Sequence, residues 1–193
     1  MLLDDIIADV WSRWERAIAD RKSPLHTPCV ATVDADGVPQ TRIMVLRAAD
    51  RGEASLRFHT DARSGKCTHA GPASVLGYDP EARIQLRLTG TAMLEAVGPA
   101  ANAAWAAASL SSRRCYLAAP GPGTTVPEPT SGLPANLETR LPSPAESDGG
   151  RANFAVVLFT ADHIDWLHLA ATGHRRAQFV HNGSDWHGRW VIP

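Results

Sequence analysis

The stretch CVATVDADGVPQTRIMVLRAAD, residues 29–50, constrains this chain more than any other. Two β-rich runs flank Asp34, Ala35, Asp36 and Gly37, and the Asp36–Gly37 pair is a tight-turn signal, so the stretch predicts a hairpin. Further strand-like runs lie at 55–60, 73–78, 82–95, 154–160, 163–169, 175–181 and 186–192. Many short strands with few long helices lead to a small closed sheet, so the expected fold class is mainly β, a β-barrel with flanking helices.

Two segments depart from that pattern. Leu3, Ile6, Ile7, Val10, Trp11, Trp14 and Ile18 recur at three- and four-residue spacing, which predicts an amphipathic packing helix at the start of the chain. Residues 99–118, with Ala101, Ala103, Ala104, Ala106, Ala107 and Ala108 around Trp105, predict a second helix that interrupts the strands. Residues 120–150 then hold seven of the 14 prolines and five of the 15 glycines, which predicts an irregular Pro/Gly-rich connection or a lid rather than a packed element. Residues 1–193 are expected to form a single domain, with 151–193 as a C-terminal barrel and dimerisation segment.

Composition narrows the function classes. With 19 Lys and Arg against 20 Asp and Glu, the net charge of -1 offers no basic excess for nucleic acid or an anionic membrane. Any anion must therefore be gripped locally. No apolar run approaches the roughly 20 residues of a membrane span, and the start MLLDDIIADVW has acidic residues where a signal peptide is basic, so a cytoplasmic location is expected. Cys29, Cys67 and Cys115 are far apart and lack a C-x-x-C spacing, which argues for isolated reduced thiols and no structural zinc. The histidines His163 and His168, or His181 and His187, lack the spacing that puts two imidazoles on one ion, so no metal is expected.

Three stretches carry candidate chemistry. In FHTDARSGK a strand ends at Thr60, and Ser64 is placed to cap a short helix whose first turn holds Gly65 and Lys66. Free amides, a hydroxyl and an ammonium make a phosphate cradle, although a plain capped helix reads the same way. In TRIMVLR, Arg42 and Arg47 sit in an otherwise apolar strand, where their guanidinium forks suit a phosphate or carboxylate or else face solvent from an edge. Strand alternation puts the two on opposite faces, so both reach one ligand only if the strand bulges or Arg47 lies beyond its end. From Arg83 to Gly90, Ile84, Leu86 and Leu88 face inward while Arg83, Gln85, Arg87 and Thr89 face outward, where Gln85 can pair with a flat heterocycle or simply with water.

In this order the stretches resemble the pyridoxamine 5'-phosphate oxidase-like family of FMN-binding split barrels. The resemblance rests on R-x-x-V-L-[KR] from Arg42 to Arg47, aromatic-T-x-x-x-S-x-K ending at Lys66, and Q-x-R-x-x-G from Gln85 to Gly90. It continues through Trp166, His174, Arg175, Arg176, Phe179, Trp186 and Pro193. Residues 31–42, the stretch with Trp105, Arg113, Tyr116 and Pro120 to Gly123, and residues 164–169 look most like a bacterial offshoot with no settled substrate.

The resemblance implies FMN as cofactor and hydride transfer from a small substrate to flavin N5. It also implies a homodimer with the flavin between subunits, and no nucleic-acid or membrane partner. It places Arg42, Ser64, Gly65 and Lys66 at the phosphate, the backbone of Ile43, Met44, Val45, Leu46 and Arg47 along the isoalloxazine, and His59, Thr60 and Gln85 near the ring. Trp166 and Arg176 become flavin contacts, and Arg47, Arg113 and Arg175 become candidates for a substrate phosphate; no catalytic residue is singled out. The oxidase has lysine where Arg47 stands and tyrosine where His59 stands. A non-catalytic flavin carrier or redox sensor, or a split barrel holding haem or a deazaflavin, remains the alternative.

Overall fold

The computed structural model describes residues 2–64 and 71–193. The hairpin forms as expected: β1 (Cys29–Val33) pairs antiparallel with β2 (Pro39–Ile43), Val33 opposite Pro39. Gly37 takes φ +81° in the turn, a conformation that costs glycine little, and Asp34 Oδ1 accepts the amides of Asp36 (3.0 Å) and Val38 (2.9 Å). The remaining strands are β3 (Leu46–Asp50), β4 (Ser55–Asp61), β5 (Gly71–Asp79), β6 (Ile84–Glu95), β7 (Phe154–His168), β8 (Arg175–His181) and β9 (Trp186–Val191).

The strand order is β2-β1-β5-β6-β7-β4-β3, with β8 paired to β7 and β9 to β8. Only Met44 and Val45 separate β2 from β3, yet these strands end the path. Laid flat, six inter-strand steps would separate them by roughly 29 Å. Three peptide steps reach only about 11 Å, so the sheet has to curl until its ends meet. A barrel is thus forced by connectivity.

The described residues divide into two compact units: one within Met1–Phe58, His69–Met93 and Leu158–Pro193, the other within His59–Thr68 and Leu94–Val157. In the first unit, α1 (Leu3–Ala19) packs on β3 and buries Ile6, Ile7, Val10, Trp11, Trp14 and Ala17. Each fully buried large aliphatic residue of that stripe contributes about 1.5–3 kcal/mol. Asp4 and Asp5 in its first turn complement the helix dipole, and Arg13 ties the helix to β5 through Asp79 at 2.8 Å. Along β6, Ile84, Leu86 and Leu88 are buried and Arg87 and Thr89 exposed, as alternation requires. Gly90 is needed for contact with β7, since a Cβ there would overlap the carbonyl oxygen of Thr160.

In the second unit, α2 (Pro99–Ala107) and α3 (Leu110–Arg114) surround an aromatic cluster. Phe154 meets His59 at 4.9 Å, Tyr116 at 5.0 Å and Trp105 at 5.2 Å between ring centroids.

The structure revises several expectations. The 41–47 run is two strands, because Met44 leaves the ladder to donate to Pro28 O at 3.1 Å. The runs at 154–160 and 163–169 are one strand, since no turn residue lies between them and Ala161 N is held by Ala54 O at 2.8 Å. The helix over 99–118 breaks at Ala108, which is extended (ψ 136°), and Ser109 caps a new start. Arg83 is not on the outer face of β6 but in the preceding turn, with φ +56°. Residues 120–150 are mostly irregular and exposed, yet they carry α4 (Pro144–Asp148), and Leu137 and Ser147 are buried. This stretch is tied down: Arg63 donates to Ala118 O and Ala119 O at 3.0 Å, Ala119 N to Gly132 O, and Arg140 clasps Glu146.

Candidate functional site

In the first unit, β2 presents Arg42, half-buried, with Nη1 donating to Thr32 Oγ1 (2.8 Å) and more weakly to Val30 O (3.4 Å). The next residue, Ile43, is 65% exposed, an unusual state for a large apolar side chain. Arg47 lies where the register between β3 and β4 shifts, Leu46 pairing with Phe58 and Ala48 with Arg57. Both escapes from simple alternation are therefore present between Arg42 and Arg47, a strand break and a bulge. Arg47 Nε is buried and has no hydrogen-bond partner among the described residues. Met44 and Leu46 are buried and Val45 half-buried, so the segment 43–47 offers a ligand its backbone and the side chains of Ile43 and Arg47.

Gln85 is half-buried on β6, opposite Tyr78 of β5. Two residues on, Arg87 joins a network centred on Asp165 of β7, only 7% exposed. Asp165 accepts from Arg176 Nε (3.0 and 3.1 Å), Arg176 Nη2 (2.7 Å), Arg87 Nη2 (3.1 Å) and Gln178 Nε2 (3.1 Å), and Gln178 in turn accepts from Arg189 (3.1 Å). Burial pushes the Asp165 carboxyl up; hydrogen bonds from Arg176 and Gln178 and the charges of Arg176 and Arg87 outweigh it and hold it below the usual range. The same pair raises Arg176. Arg87, Thr89, His163, Asp165, Gln178 and Arg189 help to line a cavity of about 470 Å³.

Arg176 and Gln178 share a face of β8 as alternation predicts, but His174 lies before the strand, its Nδ1 accepting from Ala170 N at 3.1 Å. Trp166 is 2% exposed, its ring 6.4 Å from that of Trp190. Arg175 is exposed, beside a shallow cavity with Trp190 and Ile192.

In the second unit, His59 packs edge-on against Phe154, and Thr60 is 5% exposed with no partner for Oγ1 among the described residues. Ser64 is buried, its amide donating to Asp61 O at 3.0 Å. Neighbouring Arg63 is structural: its guanidinium grips Asp61 and two backbone carbonyls, and the Asp61 hydrogen bond raises it further. Arg113 is engaged as well, donating to Trp105 O from Nε (3.1 Å) and Nη2 (2.8 Å) and lying 4.8 Å over the Trp105 ring. Gly65, Lys66 and Cys67 lie outside the described residues. Cys29 is half-buried and Cys115 exposed, both as free thiols.

Sequence reasoning missed Asp165 and Arg57, and gave Gln178 only a face shared with Arg176. Asp165 is an acid between the apolar Ile164 and Trp166, a placement that signals burial, but its partners follow only from the β7–β8 register. Among the described residues no three His, Cys, Asp or Glu gather as a metal site, and no helix is long and apolar enough to cross a membrane.

Residues 9–96 match the family model described as pyridoxamine 5'-phosphate oxidase, FMN-binding domain. A search of curated proteins found no match. Among solved structures, a pyridoxamine 5'-phosphate oxidase-related, FMN-binding protein from Nostoc punctiforme PCC 73102 is 23% identical, with 98% of this chain and 96% of that one covered at a TM-score of 0.69. PhzG from Burkholderia lata 383, solved with tetrahydrophenazine-1-carboxylic acid, is 17% identical, with 99% and 90% covered at 0.66. At these identities the likeness is one of fold. Residues 9–96 are thus similar to the pyridoxamine 5'-phosphate oxidase FMN-binding domain, and the curled antiparallel sheet with its flanking helices is the split-barrel fold of these neighbours.

Proposed function

We propose that the chain binds FMN and is an oxidoreductase that takes a hydride from a small substrate. The observation that carries this reading is a set of polar groups left without partners at motif positions. Arg47 Nε in the first unit and Thr60 Oγ1 in the second are buried and unpaired among the described residues, and the resemblance gives both positions to the flavin. Buried polar atoms are seldom left unpaired, so such groups fit a polar ligand that completes them. Among the described residues Arg42 has no carboxylate partner, which suits a cation assigned to a phosphate. Exposed Ile43 fits coverage by a ring or by a second subunit.

Bound FMN supplies the redox chemistry, accepting a hydride and passing electrons to an acceptor. The protein's part is binding and orientation. By the resemblance, Arg42, Ser64 and Lys66 would anchor the phosphate, the backbone of 43–47 would support the ring, and Gln85 and Thr60 would hydrogen-bond to it. Arg176, held by both oxygens of Asp165, adds a rigid positive charge, and Arg175 is open to a substrate anion. The bonds to Trp105 O give Arg113 a structural task instead. A homodimer belongs to the proposal, with the face that carries Gln85 and Arg87 as its interface.

The test is an Arg42→Ala/Lys66→Ala variant titrated with FMN by calorimetry. Loss of two charge-assisted contacts should weaken binding by about 10²–10⁴-fold with circular dichroism unchanged. Unchanged affinity would overturn the phosphate assignment. A haem spectrum in place of a flavin one in the purified protein would overturn the cofactor. A flavin-loaded protein that turns over no vitamin B6 phosphate would point to a different substrate or to a carrier, and sedimentation reads the dimer.

A further inference from the structure

Arg47 and Arg57 differ from the other half-buried arginines. Arg13 pairs with Asp9 and Asp79, Arg176 with Asp165, and Arg113 reaches Asp148. Arg42 donates to Thr32, Arg114 to Arg140 O, and Arg151 to Ala96 O and Asn102. The side chains of Arg47 and Arg57 make no such bond with any described residue, and the Nε of each is sealed from water. Nor can the remaining residues supply a carboxylate, since Met1 and GKCTHA at 65–70 contain no acid.

The register sets the two side by side. Arg57 on β4 is directly opposite Ala48 on β3, and Arg47 is the residue before it, at the bulge. Each sealed and unpaired Nε carries the desolvation penalty of a buried unsatisfied donor, and two like charges on neighbouring strands add repulsion. Neither cost is offset by any described residue. One oxyanion would offset both, because a guanidinium fork matches phosphate or carboxylate oxygens.

We propose that Arg47 and Arg57 form a two-arginine clamp for the phosphate or carboxylate group of a small molecule. Arg57 lies outside the motifs that single out the flavin residues, so the clamp extends the reading of Arg47 given above without needing the flavin. Two sources supply the same chemistry, the phosphate of FMN or an anionic group on the substrate.

The experiment titrates flavin-free protein with inorganic pyrophosphate and compares wild type with Arg57→Met. The variant should bind the anion at least tenfold more weakly, and in anion-free buffer it should melt at the same or a higher temperature, since a lone repulsive charge has been removed. Affinities unchanged within twofold would overturn the clamp, whatever becomes of FMN binding. Should Arg57→Met not fold, Arg57→Lys keeps the charge but loses the fork, and a severalfold weakening is then expected, with none overturning the proposal. The source is read with the same variant. A narrowed preference for FMN over riboflavin assigns the clamp to the cofactor phosphate, and a narrowed preference for pyridoxal 5'-phosphate over pyridoxal assigns it to the substrate.

Discussion

Replacing Asp165 by Asn keeps the shape of the side chain at the centre of the Arg87–Arg176–Gln178 network and removes its charge. The carboxylate side chain is 9% exposed, and its partners Arg176 and Arg87 are 28% and 47% exposed. A hydrogen bond to a charged group contributes about 1.5–3 kcal/mol when dry, and the open arginines lose much of that to solvent screening. Breaking one side of a buried pair costs more than the pair contributes, because two guanidiniums then face each other uncompensated. The net expectation is a loss of about 2–3 kcal/mol, which for a chain of this size lowers the melting temperature by roughly 4–12 °C. Thermal unfolding followed by circular dichroism at pH 7 and low salt reads it.

The pH dependence has a definite sign. The folded carboxyl is held below its ordinary value of 3.8, so its stabilisation is complete above that value and is lost as pH falls through the lower folded one. The gap between wild type and Asp165→Asn should therefore close in acid. A melting temperature within about 1 °C of wild type at pH 7 would refute the reasoning, as would a gap that widens at low pH.

Three further perturbations test other parts of the structure. Gly90→Ala would drive a methyl group into the Thr160 carbonyl and against Ala161 Cα at 2.9 Å, so β6 and β7 have to separate. About 1–3 kcal/mol or more should be lost in urea unfolding, and a neutral result would show that the two strands do not approach so closely. The Arg140 guanidinium beside Glu146, with the Ser143 amide and hydroxyl, lowers the Glu146 carboxyl from 4.5 to about 2. NMR titration should find it there and find it restored toward 4.5 in Arg140→Ala; an ordinary value in wild type would dissolve the pair. Arg113→Ala removes the bonds that close the end of α2, at a cost of about 1–3 kcal/mol, and hydrogen exchange should show its last turn losing protection. Protection equal to wild type would mean that the Trp105 carbonyl does not depend on Arg113.

Where a local rule was enough, the sequence could be read directly. The hairpin was legible because Asp34 and Gly37 act within a few residues of chain, and α1 because its apolar stripe repeats within single turns. The inward face of β6 followed from alternation alone. Readings failed where a distant contact overrode the local pattern. Pro28 O pulled Met44 out of a strand that the apolar run 41–47 suggests, and Ala54 O held Ala161 in a strand that the polar Thr160, Asp162 and His163 interrupt in the sequence pattern.

The candidate site divides along the same line. Arg42, Arg47, Thr60, Ser64 and Gln85 are visible in the sequence because each belongs to a short motif whose spacing is covalent. Asp165, Gln178 and Arg57 are not, because their significance comes from who sits opposite. Asp165 meets Gln178 through the β7–β8 ladder, and Arg57 comes beside Arg47 through a bulge that shifts the β3–β4 register by one residue. The amino-acid sequence by itself determined the strand-rich architecture, the opening helix and the motif residues, since each depends on turn chemistry, periodicity or spacing along the chain. Only the tertiary structure decided which charges are neutralised and which are left open. Strand register, the property that brings charges together or leaves them apart, is a contact between residues far apart along the chain, and a one-residue shift changes every partner.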